Sequence, residues 1–390
     1  MHSDTGVRRP PSWILFTISV VGVTLITPIA PVIPDILRAL DAPESAAGLI
    51  LGSATLPGIL LAPVIGVLAD RWGRRRVLLP CLVLFAAAGT LSILSTSVAM
   101  LATIRFFQGI GAAGLINLVI VLIGDHWDGT DRVRMLGRNS AALTAGIAAL
   151  PTIGGALADW LGWRGPFYVY PLVFLVLLAA MRTLPKDQPT SATGVGAQLR
   201  ASGKVLRTPV VLGLFGLEVV VMVAIFGLIL TVLPFHLEEA YGLSAGARGL
   251  FLGAPSLVSF WISLNIARIT QRFGRFRAIT FGLVVFGASF FVLGSPVPLS
   301  VLVAGALLWG LAEGLTFPAL LDRITEAAGT ESRGTVIAVG AGAVRLGQTV
   351  GPLLGGVALV GVGAPTAFLA GAALLGGLAV VVVIGKFRFT

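Results

Sequence analysis

Charge is scarce in this chain of 390 residues: 11% are Asp, Glu, Lys or Arg, against about 25% in an ordinary soluble domain. A surface so poor in charge cannot be mostly wet. Cysteine is scarcer still. Cys81 stands alone, which excludes an internal disulfide framework and any cysteine-rich metal site. The three histidines, His2, His126 and His236, lie too far apart in sequence to suggest a metal cluster, so no metal is expected. Lysine occurs at Lys186, Lys204 and Lys386, never inside a G-x-x-x-x-G-K-[S/T] stretch. An ATP-driven motor within this chain is therefore not expected. Neither an H-E-x-x-H stretch nor a serine elbow is visible, so no enzyme and no cofactor is expected.

What is present is hydrocarbon. Hydrophobic residues make up 56% of the chain and the mean hydropathy is +0.98. Roughly 20 apolar residues cross a bilayer, and the apolar runs here are numerous enough to cross it many times. Reading them between charge clusters and Gly/Pro breaks predicts an all-α polytopic membrane protein of about twelve helices. The spans fall near 13–34, 46–69, 77–96, 99–124, 139–160, 166–183, 209–234, 246–270, 278–293, 300–321, 334–357 and 366–385. The first is expected to be a true span and not a cleavable signal peptide, because no small-residue cleavage site follows it before Pro31 and Pro34. The one long polar connection, 184–208, is rich in Pro, Gly, Ser and Thr. It reads as a flexible cytoplasmic linker between a bundle at 1–183 and a second at 209–390.

Lys and Arg fix the expected orientation. With the N-terminus cytoplasmic, inside segments hold 22 of the 27, and only Arg38, Arg164 and Arg248 lie outside. Both termini are then cytoplasmic, in the cell membrane. The formal charge of +10 is a topological address; basic residues separated by long apolar runs form no nucleic-acid surface.

The two halves match at an offset of 201 residues. Gly48, Leu49, Leu51 and Gly52 recur as Gly249, Leu250, Leu252 and Gly253. Arg71, Gly73 and Arg74 recur as Arg272, Gly274 and Arg275, and Pro151, Gly154 and Gly155 as Pro352, Gly355 and Gly356. Four groups at one offset, Arg132 and Arg333 included, are hard to obtain by chance. A duplicated six-helix bundle with a site between its halves is the plan of many alternating-access carriers.

After span two comes Gly66-Val-Leu-Ala-Asp70-Arg71-Trp-Gly73-Arg74-Arg75-Arg76. Gly66 permits close helix contact, Gly73 a tight turn, and Asp70 can bond an arginine. The arginines alone would be a positive-inside loop. The whole pattern resembles the signature loop of the major facilitator superfamily, a conformational-switch loop. Span one carries Val21-Gly22 and Thr27-Pro28-Ile29-Ala30-Pro31, similar to twelve-span drug:proton antiporters. Span four carries Arg105, Gln108, Gly109, Gly111, Ala112 and Ala113 in the family's spacing, and span eleven carries Gly347, Gly351 and Pro352. One stretch departs from the pattern. Span five reads Gly146-Ile147-Ala-Ala-Leu150-Pro151-Thr-Ile-Gly154-Gly155, with the glycine before Pro151 in the antiporter motif replaced by Leu150. The surviving Pro and Gly pair still gives a kinked, closely packing helix.

A charge inside a span costs at least about 2.5–3.5 kcal/mol and marks function by default. Arg105, Glu218, Glu313 and Arg345 are such charges, with Asp35 at the outer end of span one. The resemblance implies that Arg105 faces the cavity and works with a span-one carboxylate, for which Asp35 is the nearest acid; the alternative is a structural salt bridge at the rim. Glu218, Asp35 and Glu313 are the proton-coupling candidates, and Arg105 and Arg345 their charge partners. A permanent Glu218–Arg345 bridge is the structural alternative, and Glu313 could instead bond a gating loop. Spans one, four, seven and ten line the cavity in the family, which makes Gln108, Asn117, Phe226, Trp309 and Phe317 substrate-cavity candidates; the aromatics could equally face lipid or core. Asp125 reads as part of a solvated loop.

These features predict a secondary transporter, a proton-coupled exporter of small lipophilic or amphipathic compounds working by rocker-switch alternating access. Its expected partners are that substrate, protons and membrane lipids, and the resemblance implies a monomer. A uniporter or metabolite or lipid transporter with structural buried charges is the alternative, and a non-transporting membrane sensor or lipid-binding scaffold the third reading.

Overall fold

The computed structural model describes residues 9–185, 208–327 and 329–384. Most of the linker expected at 184–208 lies outside the described residues. Within them the fold is helical throughout, with no strand. Eleven helices are long and apolar enough to cross a membrane, and Ser12–Val23 is a shorter apolar helix. After the broken span one, spans two to six are Ala47–Trp72, Arg74–Leu91, Val98–His126, Gly129–Leu161 and the interrupted Gly165–Thr183. Spans seven to twelve are Pro209–Tyr241, Ala245–Phe273, Arg275–Leu293, Leu299–Ala327, Gly329–Val362 and Ala364–Ile384.

Most helices run past the expected apolar boundaries. Span five begins at Gly129, ten residues before the hydropathic signal, because helix propagation does not stop where the hydrocarbon does. Span one departs the other way. Its helix ends at Val23, an irregular stretch follows, and helix resumes only over Ala30–Val32 and Ile33–Ala39. Pro28, Pro31 and Pro34 each lack the N–H that an unbroken helix needs. Thr24 and Thr27 spend their hydroxyls on the carbonyls of Val21 and Val23. Span seven is disturbed at the repeat-equivalent place, where Ile225–Val232 widens into π-helical turns.

Spans two and eleven, and spans five and eight, carry the contact between the halves. Here the sequence repeat becomes a spatial pseudo-two-fold. Gly48 lies against the backbone of Pro352, and its equivalent Gly249 against that of Pro151. Gly52 meets the Thr349 carbonyl, and Gly253 that of Ala148. Gly154 and Gly355 seat the disturbed stretches of spans one and seven, against Pro28 and Gly227. A side chain at any of these glycines except Gly52 would enter backbone, so the small residues set how near the helices come.

These approaches gather toward the end of the bundle that carries the connections at 40–46 and 242–244. On spans two and eleven they continue through Thr55, which bonds the Gln348 carbonyl at 3.2 Å and receives a bond from Thr349 at 3.0 Å. They end at Gly58, covered by the Arg345 side chain. Beyond it the helices separate. Leu60 and Val64 are exposed, and a Cβ at Gly66 would meet open space. The close contact expected at Gly66 is therefore absent in this conformation. In span eight, Pro255 and Ser256 are the last buried residues. The halves are joined at one end and parted at the other.

Candidate functional site

Arg105 is fully buried in span four, and among the described residues no carboxylate meets it. Its guanidinium donates to the carbonyl of Leu25, to Gln108 Oε1 at 2.8 Å and to Tyr170 Oη at 3.4 Å. Tyr170 in turn donates to the Thr24 carbonyl at 2.8 Å. The break in span one frees these two carbonyls, and groups from spans four and six satisfy them. The pairing of Arg105 with Asp35 is thus not formed here. Arg105 holds the break, and Gln108, buried beside Tyr170 and Gly89, belongs to the same network inside the first bundle.

Asp35 sits elsewhere, in a closed ring of four charges across the joined end. Arg248, 1% exposed, bonds Asp35 and lies 3.2 Å from Glu238. Arg38 lies 2.6 Å from Glu238 and 3.3 Å from Asp35. Asp35 and Arg38 share one face of the Ile33–Ala39 helix, three residues apart. The turn at Gly242 brings Glu238 and Arg248 together from the other half. Beside the ring, Asp159 accepts from Ser244 Oγ at 2.9 Å and from the Gly246 N–H at 3.0 Å, a second link between halves. Residue type and spacing did not single out Arg248; its place among only three basic residues on the sparsely charged side was the available signal.

Glu218 is buried where spans seven and eleven pack. Its Oε2 lies 3.7 Å from where a Cβ of Gly340 would stand and has no hydrogen-bond partner among the described residues. Arg345 does not reach it. That guanidinium crosses over Gly58 of the other half and contacts Gln348 Oε1 at 3.5 Å. The structural Glu218–Arg345 bridge is therefore absent among the described residues. Glu313, half-buried, has Trp309 and Phe317 four residues either side, on one face of span ten. Trp309 is buried with its Nε1 unpartnered. Phe226 lies half-buried in the widened part of span seven, and Asn117 is exposed on span four.

At the parted end, Gly73 turns the chain at φ 102°, a conformation that disfavours a side chain. The turn sends Arg74 back onto Asp70 at 2.8 Å, onto the Ala69 carbonyl at 3.0 Å and onto Asp125 of span four at 3.0 Å. Asp125 is thus an anchor of the loop and not a free solvated acid. Arg71 is exposed. In the second half Gly274 turns likewise, and Arg275 bonds Asp322 and lies 3.2 Å from Glu326. The acid missing from the second loop is replaced by two from span ten.

Comparison with known proteins agrees with this architecture. The sequence model of the Major Facilitator Superfamily matches residues 13–339 and 219–388. The bacillibactin exporter of Bacillus subtilis (strain 168) is 28% identical over 326 residues, 78% of this chain and 79% of that protein. The class B tetracycline resistance protein of Escherichia coli is 26% identical over 375 residues, 91% of this chain and 88% of that one. Among solved structures, nucleoside transporter NupG matches with a TM-score of 0.78 at 12% identity, over 97% of this chain and 99% of that one. Human organic anion transporter MFSD10 matches with a TM-score of 0.68 at 21% identity, over 96% of this chain and all of that one. At those identities the structural likeness is one of fold. A broken first span, paired loops at Gly73 and Gly274, a repeat that is also a spatial two-fold and a sequence match across the chain lead to one conclusion: the protein belongs to the Major Facilitator Superfamily and is a multi-pass membrane transporter.

Proposed function

We propose that the protein exports lipophilic or amphipathic small molecules from the cytoplasm in exchange for protons, as a monomer in the cell membrane with both termini inside. The parted end is then cytoplasmic and the conformation inward-open. The observation that carries the reading is the asymmetry between the two ends. One is locked by repeat-related backbone contacts and a charge ring, while the other has lost contact beyond Gly58. Rocking that breaks the Gly48–Pro352 and Gly249–Pro151 contacts would exchange the two conditions, and Gly66 would then meet a neighbour. The name of the bacillibactin exporter supports export over uptake.

Glu218 is the proton carrier in this scheme, because among the described residues no cation stands beside it to compete with a proton. A ligand or proton shifts the carrier only through its different affinity for the two states. In proteoliposomes with an imposed pH gradient, Glu218→Gln is expected to retain folding and substrate binding and to lose pH-driven accumulation. Uphill transport like that of the unmodified protein would remove Glu218 from the mechanism. The one replaced glycine of the span-five antiporter motif, at Leu150 just before Pro151, favours a second reading as a uniporter. Proton flux that is identical with and without substrate would select it.

A further inference from the structure

Arg345 stands where the two halves part. Along spans two and eleven, Thr55 and Thr349 make the last polar link between backbones and hydroxyls. One turn further, the Arg345 side chain lies across Gly58, whose Cβ would stand 3.3 Å from its Cδ and 3.4 Å from its Nε. The guanidinium therefore closes the roof of the cleft that opens below Gly58. It is half-buried, and its one polar contact, to Gln348 at 3.5 Å, is long and with a neutral amide. No carboxylate pairs with it among the described residues, since Glu218 is turned toward Gly340 and Glu313 bonds no arginine.

The repeat sharpens the point. The positions 201 residues from Arg345 and Gly58 are Thr144 and Ser259, so the duplicated scaffold needs no cation at this level. Topology needs none either, because the positive-inside bias concerns loops and not the middle of a span. A cation in a span is costly to keep, and a charge-assisted, two-pronged contact with an acid group is what an arginine fork offers best. The described mouth of the cleft, at 70–76, 125–138 and 268–277, is also rich in arginine, which concentrates anions near the opening.

We propose that Arg345 is the anion-recognising group of the substrate site, and that the cargo is an amphipathic organic anion whose carboxylate-type acid group docks on this guanidinium. The inference rests on the reading of the cleft as the cargo's entrance. The apolar part of the cargo would lie along the cleft walls, and the acid group would supply the counter-charge that the protein itself does not.

The test is equilibrium binding to the purified full-length protein in nanodiscs at neutral pH, without any gradient. The probes are matched aryl acids, amides and methylamines: benzoate, 2-naphthoate and anthracene-2-carboxylate with their neutral and cationic counterparts. The acids are expected to bind more tightly than the amides, and the amines most weakly. Arg345→Gln should weaken acid binding by about thirty-fold or more and leave amide binding within a factor of about two. Arg345→Lys, which keeps the charge but not the fork, should fall between. Unchanged amide binding also shows that a variant is folded. Equal preference for acid over amide in Arg345→Gln, tighter binding of amines than acids, or no binding of any acid would each overturn the proposal. Proton coupling plays no part in this measurement, so its failure would leave the result standing, and loss of anion selection would leave transport itself untouched.

Discussion

The charge ring makes a quantitative demand on the carrier. Replace Arg248 by Gln, and Asp35 and Glu238 keep only Arg38, whose side chain is 64% exposed. Removing one partner from a fully buried ion pair costs about 3–5 kcal/mol. Asp35 and Glu238 are 27% and 25% exposed, so water relieves part of the loss and about 2–3 kcal/mol remains. If the ring breaks when this end opens, the variant loses that energy only in the joined state. The ratio of opened to joined molecules should then rise roughly 30- to 150-fold. Arg38→Gln is the internal control: its exposed pairs are worth about 0.2–1 kcal/mol, a shift of about fivefold at most. The assay is the distance distribution between spin labels at Thr96 and Ser300, exposed residues on opposite halves at the joined end, with Cys81 replaced by Ala. A growing long-distance population in Arg248→Gln and almost none in Arg38→Gln is expected. Equal responses, or no response of Arg248→Gln, would show that the ring does not hold this end shut.

Three further expectations use the backbone contacts and the Arg105 network. Gly48→Ala and Gly249→Ala place a Cβ under 3.0 Å from backbone in equivalent positions, so both should favour the opened end in the same spin-label assay and to a similar degree. Gly66→Ala meets open space in this conformation and should leave the thermal stability of the protein in this conformation unchanged while slowing turnover, which a combined melting and flux measurement separates. Tyr170→Phe removes the bond to the Thr24 carbonyl and should lower stability by about 1 kcal/mol. Arg105→Lys cannot bond Leu25 and Gln108 as a fork and should lower it further; melting temperatures that rank the two variants the other way would contradict this.

Much of the fold is legible in the residues, because apolar length and the placement of arginine are both set by the bilayer. The offset of 201 goes further, since it reproduces atom-level contacts at Gly48 and Gly249 that no hydropathy scan contains. What stays hidden follows from the same physics. The apolar pattern of 13–34 promises one span, yet its three prolines remove the hydrogen bonds that would keep it helical. Distances in sequence also misdirect charge pairing. Asp35 looks like the partner of Arg105 because it is the acid nearest span one, but Arg248 from the second half reaches it. Asp125 lies beside polar residues and looks solvated, whereas the turn at Gly73 carries Arg74 onto it. Arg345 and Glu218 share a depth, and depth alone does not say that their side chains point to different neighbours.

The break in span one has a consequence for how the chain enters the membrane. Ser12–Val23 has 12 helical residues, about 18 Å of helix, against a hydrocarbon layer of about 30 Å. Its remaining thickness is crossed by backbone whose Thr24 and Leu25 carbonyls wait for Tyr170 and Arg105. Span four, inserted alone, presents an uncompensated arginine to lipid. Each segment thus holds what the other lacks, and neither is a finished transmembrane element by itself. The first span is accordingly expected to be fully satisfied in the membrane only once spans four and six stand beside it.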